Sequence, residues 1–170
     1  MAERDEELIG EMARAGIDPE VTRAALAFDA VLQRWRRRVR TRELGHRALA
    51  ELAARWPGAL TLVTQNVDDL HARAHAEVVP APGFRLIPMH GELLKAACTR
   101  TGRISDCPGD LTVDSVSPHH PGGRLRPHIV WFGEMPLEME AIHDALQACD
   151  LFVAIGTSGA VWPAAGFVEI

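Results

Sequence analysis

Leu60-Thr61-Leu62-Val63-Thr64 runs directly into Gln65-Asn66-Val67-Asp68-Asp69-Leu70-His71. The first five residues are the apolar and β-branched kind that fills a strand. The next four place two amides and a carboxylate where that strand stops. Three further stretches repeat the arrangement: residues 86–89 before His90-Gly91, residues 128–132 before Gly133-Glu134, and residues 151–155 before Gly156-Thr157-Ser158. The last run is purely apolar, as a strand buried on both faces of a parallel sheet should be. Open α/β sheets bind ligands in the crevice beyond their strand ends. Four polar strand ends in one chain therefore predict an α/β fold with one shared crevice.

Around these strands the chain reads as helix and loop. Residues 3–15 suit a short helix with Gly16 as its stop. Asp18 offers a cap and Pro19 the favoured first helical position. Beyond it Val21, Ala25, Phe28, Leu32, Trp35 and Val39 form one apolar stripe, which predicts a helix to about Arg40. Another is expected over about 43–56, ending before Pro57-Gly58. Residues 137–148 predict a helix with Leu137, Ala141, Ala145 and Ala148 on one face. Residues 79–84 and 107–124, rich in proline and glycine, read as loops. The division expected is a helical part over 1–57 and a core over 58–170, with a loop-rich insertion at about 98–125.

Composition excludes several classes. With 47% hydrophobic residues the 170-residue chain can build a core, and disorder is not the default. A formal charge of −5 argues against general affinity for nucleic acid. No apolar run approaches the roughly 20 residues of a membrane span. The acidic start, Met1-Ala2-Glu3-Arg4-Asp5-Glu6-Glu7, is not of signal-peptide type. Three cysteines, Cys98, Cys107 and Cys149, make an odd and sparse set that suits a reducing compartment, so a cytoplasmic location is expected.

The strand ends carry the chemistry. Amide side chains such as Gln65 and Asn66 donate and accept at once, which suits a carboxamide or ribose hydroxyls, and Asp68 can orient a hydroxyl or a water. An Asn/Asp turn ahead of a helix would use the same residues. His90 stands at a strand end beside Gly91, which lets a ligand approach the backbone. Imidazole is also the side chain suited to taking a proton at neutral pH. His71 and His75 lie at no strand end and read as structural, and His119 and His120 as solvated loop residues. Gly156-Thr157-Ser158 is a turn that can bring backbone amides to a nucleotide.

In this order and wording the segments Thr64-Gln65-Asn66-Val67-Asp68-Asp69-Leu70-His71, Met89-His90-Gly91-Glu92-Leu93, Arg126-Pro127-His128-Ile129-Val130-Trp131-Phe132-Gly133-Glu134 and Gly156-Thr157-Ser158 resemble the sirtuins. These are the NAD-dependent protein-lysine deacylases, and the likeness is strongest to their bacterial branch, from about Arg36 to the last residue. The resemblance implies a Rossmann-like parallel sheet with helices on both faces, plus a small helical and loop lobe. It implies NAD as cofactor, with Gln65, Asn66 and Asp68 at the nicotinamide and ribose and with Gly156, Thr157 and Ser158 at the nucleotide. It assigns His90 as catalytic base. It makes Val130, Trp131, Phe132 and Gly133 the stretch with which an extended acyl-lysine peptide pairs as an added strand. In the implied reaction the acyl oxygen attacks the ribose C1′ and nicotinamide leaves. His90 then takes a ribose hydroxyl proton, and the products are free lysine and O-acyl-ADP-ribose.

Departures from the family pattern set further expectations. Residues 1–40 hold no counterpart of the family's opening Gly-Ala-Gly-x-Ser loop and Phe-Arg pair, and the family continues past the position of Ile170. An incomplete core of low activity is therefore expected, and a non-catalytic peptide-binding module is the alternative. A structural zinc ribbon needs paired cysteine turns. The chain has no Cys-x-x-Cys, only Cys98 and Cys107 with His119 and His120 beyond, so no metal site is expected. Six arginines crowd residues 34–42, which read as a solvated helix face rather than a nucleic-acid patch. Family members that remove acidic acyl groups carry a Tyr-x-x-Arg pair here. Arg36 matches its Arg and can grip a carboxylate bidentately, but Gln33 stands at the Tyr position. Preference for acidic acyl groups is not expected.

Overall fold

Val63 and Ile87 lie side by side in a parallel pair, β1 (Leu60–Thr64) with β2 (Phe84–Pro88), in register from Leu60 opposite Phe84 to Thr64 opposite Pro88. The computed structural model describes residues 2–14, 19, 22–23, 42–78, 82–107 and 109–170. The helix expected to run to Arg40 lies almost wholly outside them, with Gln33 and Arg36. Two helices precede the pair, α1 (Ala2–Arg14) and α2 (Arg42–Ala53). Parallel strands need a crossover, and here it holds α3 (Leu70–Ala76), which packs on α2 through a ring contact between His46 and His71 at 4.3 Å. The Met89 amide donates to the Thr64 carbonyl at 3.1 Å, so the pairing runs to the very ends of both strands. His90 is thereby set next to Gln65.

A second, antiparallel sheet follows, in the order β4 (Ile104–Asp106), β3 (Gly91–Cys98), β5 (Leu125–Ile129). The sequence does not announce β3. Glu92-Leu93-Leu94-Lys95-Ala96-Ala97 is built of good helix formers, and pairing on both edges overrides that preference. Between Glu92 and Ala96 the register slips opposite Pro127. Proline has no N–H to give a ladder, so a bulge is the natural accommodation. One freed group is used elsewhere, the Leu93 amide donating to the Val67 carbonyl at 2.7 Å, while on the other edge the Leu94 carbonyl accepts the Cys107 amide at 2.7 Å and extends the β3–β4 ladder. The bulge thus ties the second sheet to the turn after β1.

The core is small. Ile87 and Met89 from the β2 end meet Ile142 of α4 (Met139–Ala148) and Phe167 of a closing 3-10 helix (Ala164–Glu169). Met139, Ala141, Ile142 and Leu146 turn inward, whereas Ala148 is exposed, so the buried stripe of α4 keeps Ala141 of the face read from the sequence but is centred on Ile142.

Two expected strands are corrected. The one placed at residues 128–132 is β5, which ends at Ile129 and belongs to the antiparallel sheet. Past it Gly133, at φ 89°, and a bond from the Glu134 amide to the Trp131 carbonyl at 2.9 Å turn the chain back. Residues 151–155 form no strand. A strand is stabilised by its ladder, and this segment has no ladder partner among the described residues. Phe152, Val153 and Ile155 are consequently exposed rather than buried.

Candidate active site

Thr64, at the end of β1, is buried, and its Oγ1 accepts the Asn66 amide at 3.1 Å, which folds the chain sharply as it leaves the sheet. Asp68 Oδ1 accepts the Leu70 amide at 3.2 Å and so starts α3. The turn chemistry that the sequence allowed for this segment is present. It leaves Asn66 and Asp68 exposed just beyond the end of the strand.

His90 is half-buried and fixed on two sides. Its Nδ1 lies 3.2 Å from the Gln65 carbonyl. A carbonyl only accepts, so Nδ1 carries the proton and Nε2 is the basic nitrogen. Its own carbonyl accepts the Val130 amide at 2.9 Å. Gln65 also reaches the other way, its Nε2 donating to Thr157 Oγ1 at 3.4 Å. Backbone and side-chain bonds therefore join Thr157, Gln65, His90 and Val130, one residue from each of the four segments.

Gly91 explains the close seam behind His90. Its φ is 86°, and a Cβ there would overlap the His128 carbonyl. Gly156, at φ 65°, is the opposite case: a Cβ would meet nothing within 4 Å, so its backbone faces open space. Thr157 Oγ1 accepts a further bond from the Gly159 amide at 3.2 Å, which shapes that turn. The exposed Asn66 amide and Asp68 carboxylate, with the half-buried Gln65 bonded to the turn that holds the open Gly156 backbone, suit the polar groups of a dinucleotide.

Val130 is half-buried, whereas Trp131, Phe132 and Gly133 are exposed just beyond β5. Arg126 and Glu134 stand at the two ends of this third segment. They close this loop: Arg126 donates to both Glu134 oxygens, at 2.7 and 3.0 Å. The Arg126 guanidinium, then the Trp131 amide, hold the Glu134 carboxyl down at about 2. Burial lowers the pKa of neighbouring His128, and Lys95 and Arg126 add to that while Glu92 opposes it.

The histidines divide differently from the sequence reading at one place. His71 and His75 are packed side chains, His75 stacked on Phe84 at 3.7 Å. His119 is not solvated: it is half-buried, and its Nε2 has no hydrogen-bond partner. Cys98 is buried, and hydrogen bonds from Ser117, then Thr101, draw its thiol down to about 7. Cys107 Sγ turns to the Gly109 carbonyl at 3.6 Å. Among the described residues no three His, Cys, Asp or Glu side chains converge as metal ligands, so these do not fit a zinc ribbon.

Hydrogen bonds thus join the four sirtuin-like segments, and comparison with known proteins identifies the family. A sequence model of the Sir2 family matches residues 3–163. The chain belongs to the Sir2 family. Among its Sir2 relatives, the NAD-dependent protein deacylase of Shewanella oneidensis is 53% identical over 125 residues, which cover 73% of this chain and 49% of the relative. A solved Sir2 homologue–NAD complex superposes with a TM-score of 0.56 at 32% identity, over 73% of this chain and 46% of the other. A Sir2 complex with a p53 peptide and NAD+ gives 0.51 at 26% identity, over 72% and 50%. The fold is the Rossmann-like one of Sir2 proteins, and the chain spans about half the length of the curated relatives it matches.

Proposed function

We propose that this Sir2 chain is an NAD-dependent protein-lysine deacylase that acts on acetyl-lysine peptides and has low output from these 170 residues alone. The observation that carries the reading is the linkage Thr157–Gln65–His90–Val130, which supports one site assembled from all four segments. Gln65, Asn66 and Asp68 would hold the nicotinamide and ribose, and Gly156, Thr157 and Ser158 the adjoining nucleotide portion. NAD, when bound, supplies the ribose carbon and the nicotinamide leaving group. His90 does the proton work: with Nδ1–H on the Gln65 carbonyl, Nε2 takes a hydroxyl proton. Val130, Trp131, Phe132 and Gly133 receive the substrate backbone as an added strand. The relatives' deacylase names and the peptide-bound Sir2 neighbour support the substrate class. The three free cysteines support a reducing compartment, and we place the protein in the cytoplasm. Among the described residues no helix is long and apolar enough to cross a membrane.

The test is deacylation of an acetyl-lysine peptide, read as free lysine formed, at high protein and NAD concentration, in wild type and His90→Ala. A fall of about 10²–10⁴-fold is expected for a lost general base. Equal deacylation by both proteins removes His90 from the role. Peptide binding with no deacylation by wild type favours the non-catalytic binding module instead.

A further inference from the structure

The loop after β5 carries three large apolar side chains into solvent. Phe132 is fully exposed, Trp131 is 56% exposed, and Met135 follows at 75%. Aromatic rings held out in this way are costly for a free surface and characteristic of a contact one. Yet the backbone under them is tightly held. Arg126 and Glu134 form a fork-on-fork pair, the geometry that fixes orientation as well as charge. Arg126 Nη2 also donates to the Ile129 carbonyl at 3.2 Å, and Glu134 Oε2 accepts the Trp131 amide at 3.0 Å. Two side chains eight residues apart therefore staple both ends of one short loop. Beside them lies a cleft of about 230 Å³ whose lining includes Pro127, His128, Val130 and Leu137.

Stability alone does not account for the staple. Its partners are 38% and 42% exposed, and ion pairs at that exposure contribute little to the folded state. Their effect is on shape. A loop already held in its binding conformation loses less freedom when a partner docks. The geometry points to Arg126 and Glu134 as positioning residues that set the affinity for an acyl-lysine peptide by holding Val130 to Gly133 ready to pair with it. This rests on the reading that these residues receive the substrate. It adds what keeps them in place and which kinetic quantity the staple controls: peptide affinity, not proton transfer at His90.

Glu134→Gln keeps the size of the side chain and removes the charge, and Arg126→Lys keeps the charge and removes the fork. Three quantities are measured in each variant and in wild type: anisotropy of a labelled acetyl-lysine peptide, NAD affinity, and amide exchange at Trp131. In both variants the peptide Kd should rise about 5–20-fold, the scale of a lost preorganising contact. Trp131 exchange should quicken, while NAD affinity and thermal midpoint stay at wild-type values. Faster exchange with unchanged peptide affinity overturns the proposal. So does a joint loss of peptide binding, NAD binding and melting temperature, which marks a merely structural pair. If wild type binds no acyl-lysine peptide although Trp131 is protected, the staple is real but the substrate reading fails, and its role in recognition fails with it.

Discussion

Gly91 shows how much one residue settles here. The turn from β2 into β3 needs a positive φ, and the His128 carbonyl occupies the space where a side chain would begin. Both demands fall on the residue that follows His90. Gly91→Ala therefore faces backbone strain and a backbone clash together, and should lose more than about 3 kcal/mol. Urea unfolding checks this, and a loss below about 1 kcal/mol, less than the cost of one strained backbone position, would show that the seam can open. His90 itself was legible from its strand end and its glycine. Its tautomer was not, because the Gln65 carbonyl that sets it comes from another strand. Asp68 was legible in both of its readings, and the structure gives the turn-forming one directly through the Leu70 amide.

Elements were legible where their neighbours are local. β1 appears at its expected residues, and α1, α2 and α4 begin and end within a few positions of theirs. The main failures are of pairing. β3 is made of helix formers and exists because β4 and β5 flank it. Residues 151–155 have strand composition and no ladder among the described residues. Between α2 and α3 the decisive contact is likewise non-local, His46 against His71. Burial of His71, then the proximity of His46, pulls its pKa from 6.5 to about 4, with Asp68 opposing. A histidine depressed in the folded state is protonated first in the unfolded chain. Stability is thus fully present above pH 6.5 and declines as pH falls towards about 4. For a half-buried ring, discounted for solvent screening, the loss is on the order of 1–2 kcal/mol. Unfolding titrations at both ends of that window should show a smaller pH effect in His71→Phe than in wild type. The same pH dependence in both proteins would take His71 out of the account.

At the scale of the whole molecule, the candidate residues were readable because they stand in contiguous motifs; β1 and β2 ending side by side bring Gln65 to His90, and single hydrogen bonds add Val130 and Thr157. What a motif cannot give is the part of a ligand it does not touch. In the proposed assignment Asn66 and Asp68 take the nicotinamide and ribose end of NAD, and Gly156 to Ser158 the adjoining nucleotide portion. A pyrophosphate is ordinarily met by a glycine-rich turn feeding a helix N-terminus, where free amides face the charge. No such turn precedes Gly156 in this sequence. Each charge-assisted hydrogen bond of that kind contributes roughly 1.5–3 kcal/mol. The loss of even two weakens binding by about 100-fold or more. The 170-residue chain should accordingly bind NAD at least that much more weakly than the Shewanella relative under the same conditions. Calorimetric titration of both proteins measures the gap directly. Equal affinities would mean that other groups of this chain, the arginines of residues 34–42 foremost among them, take the phosphates in place of the glycine turn.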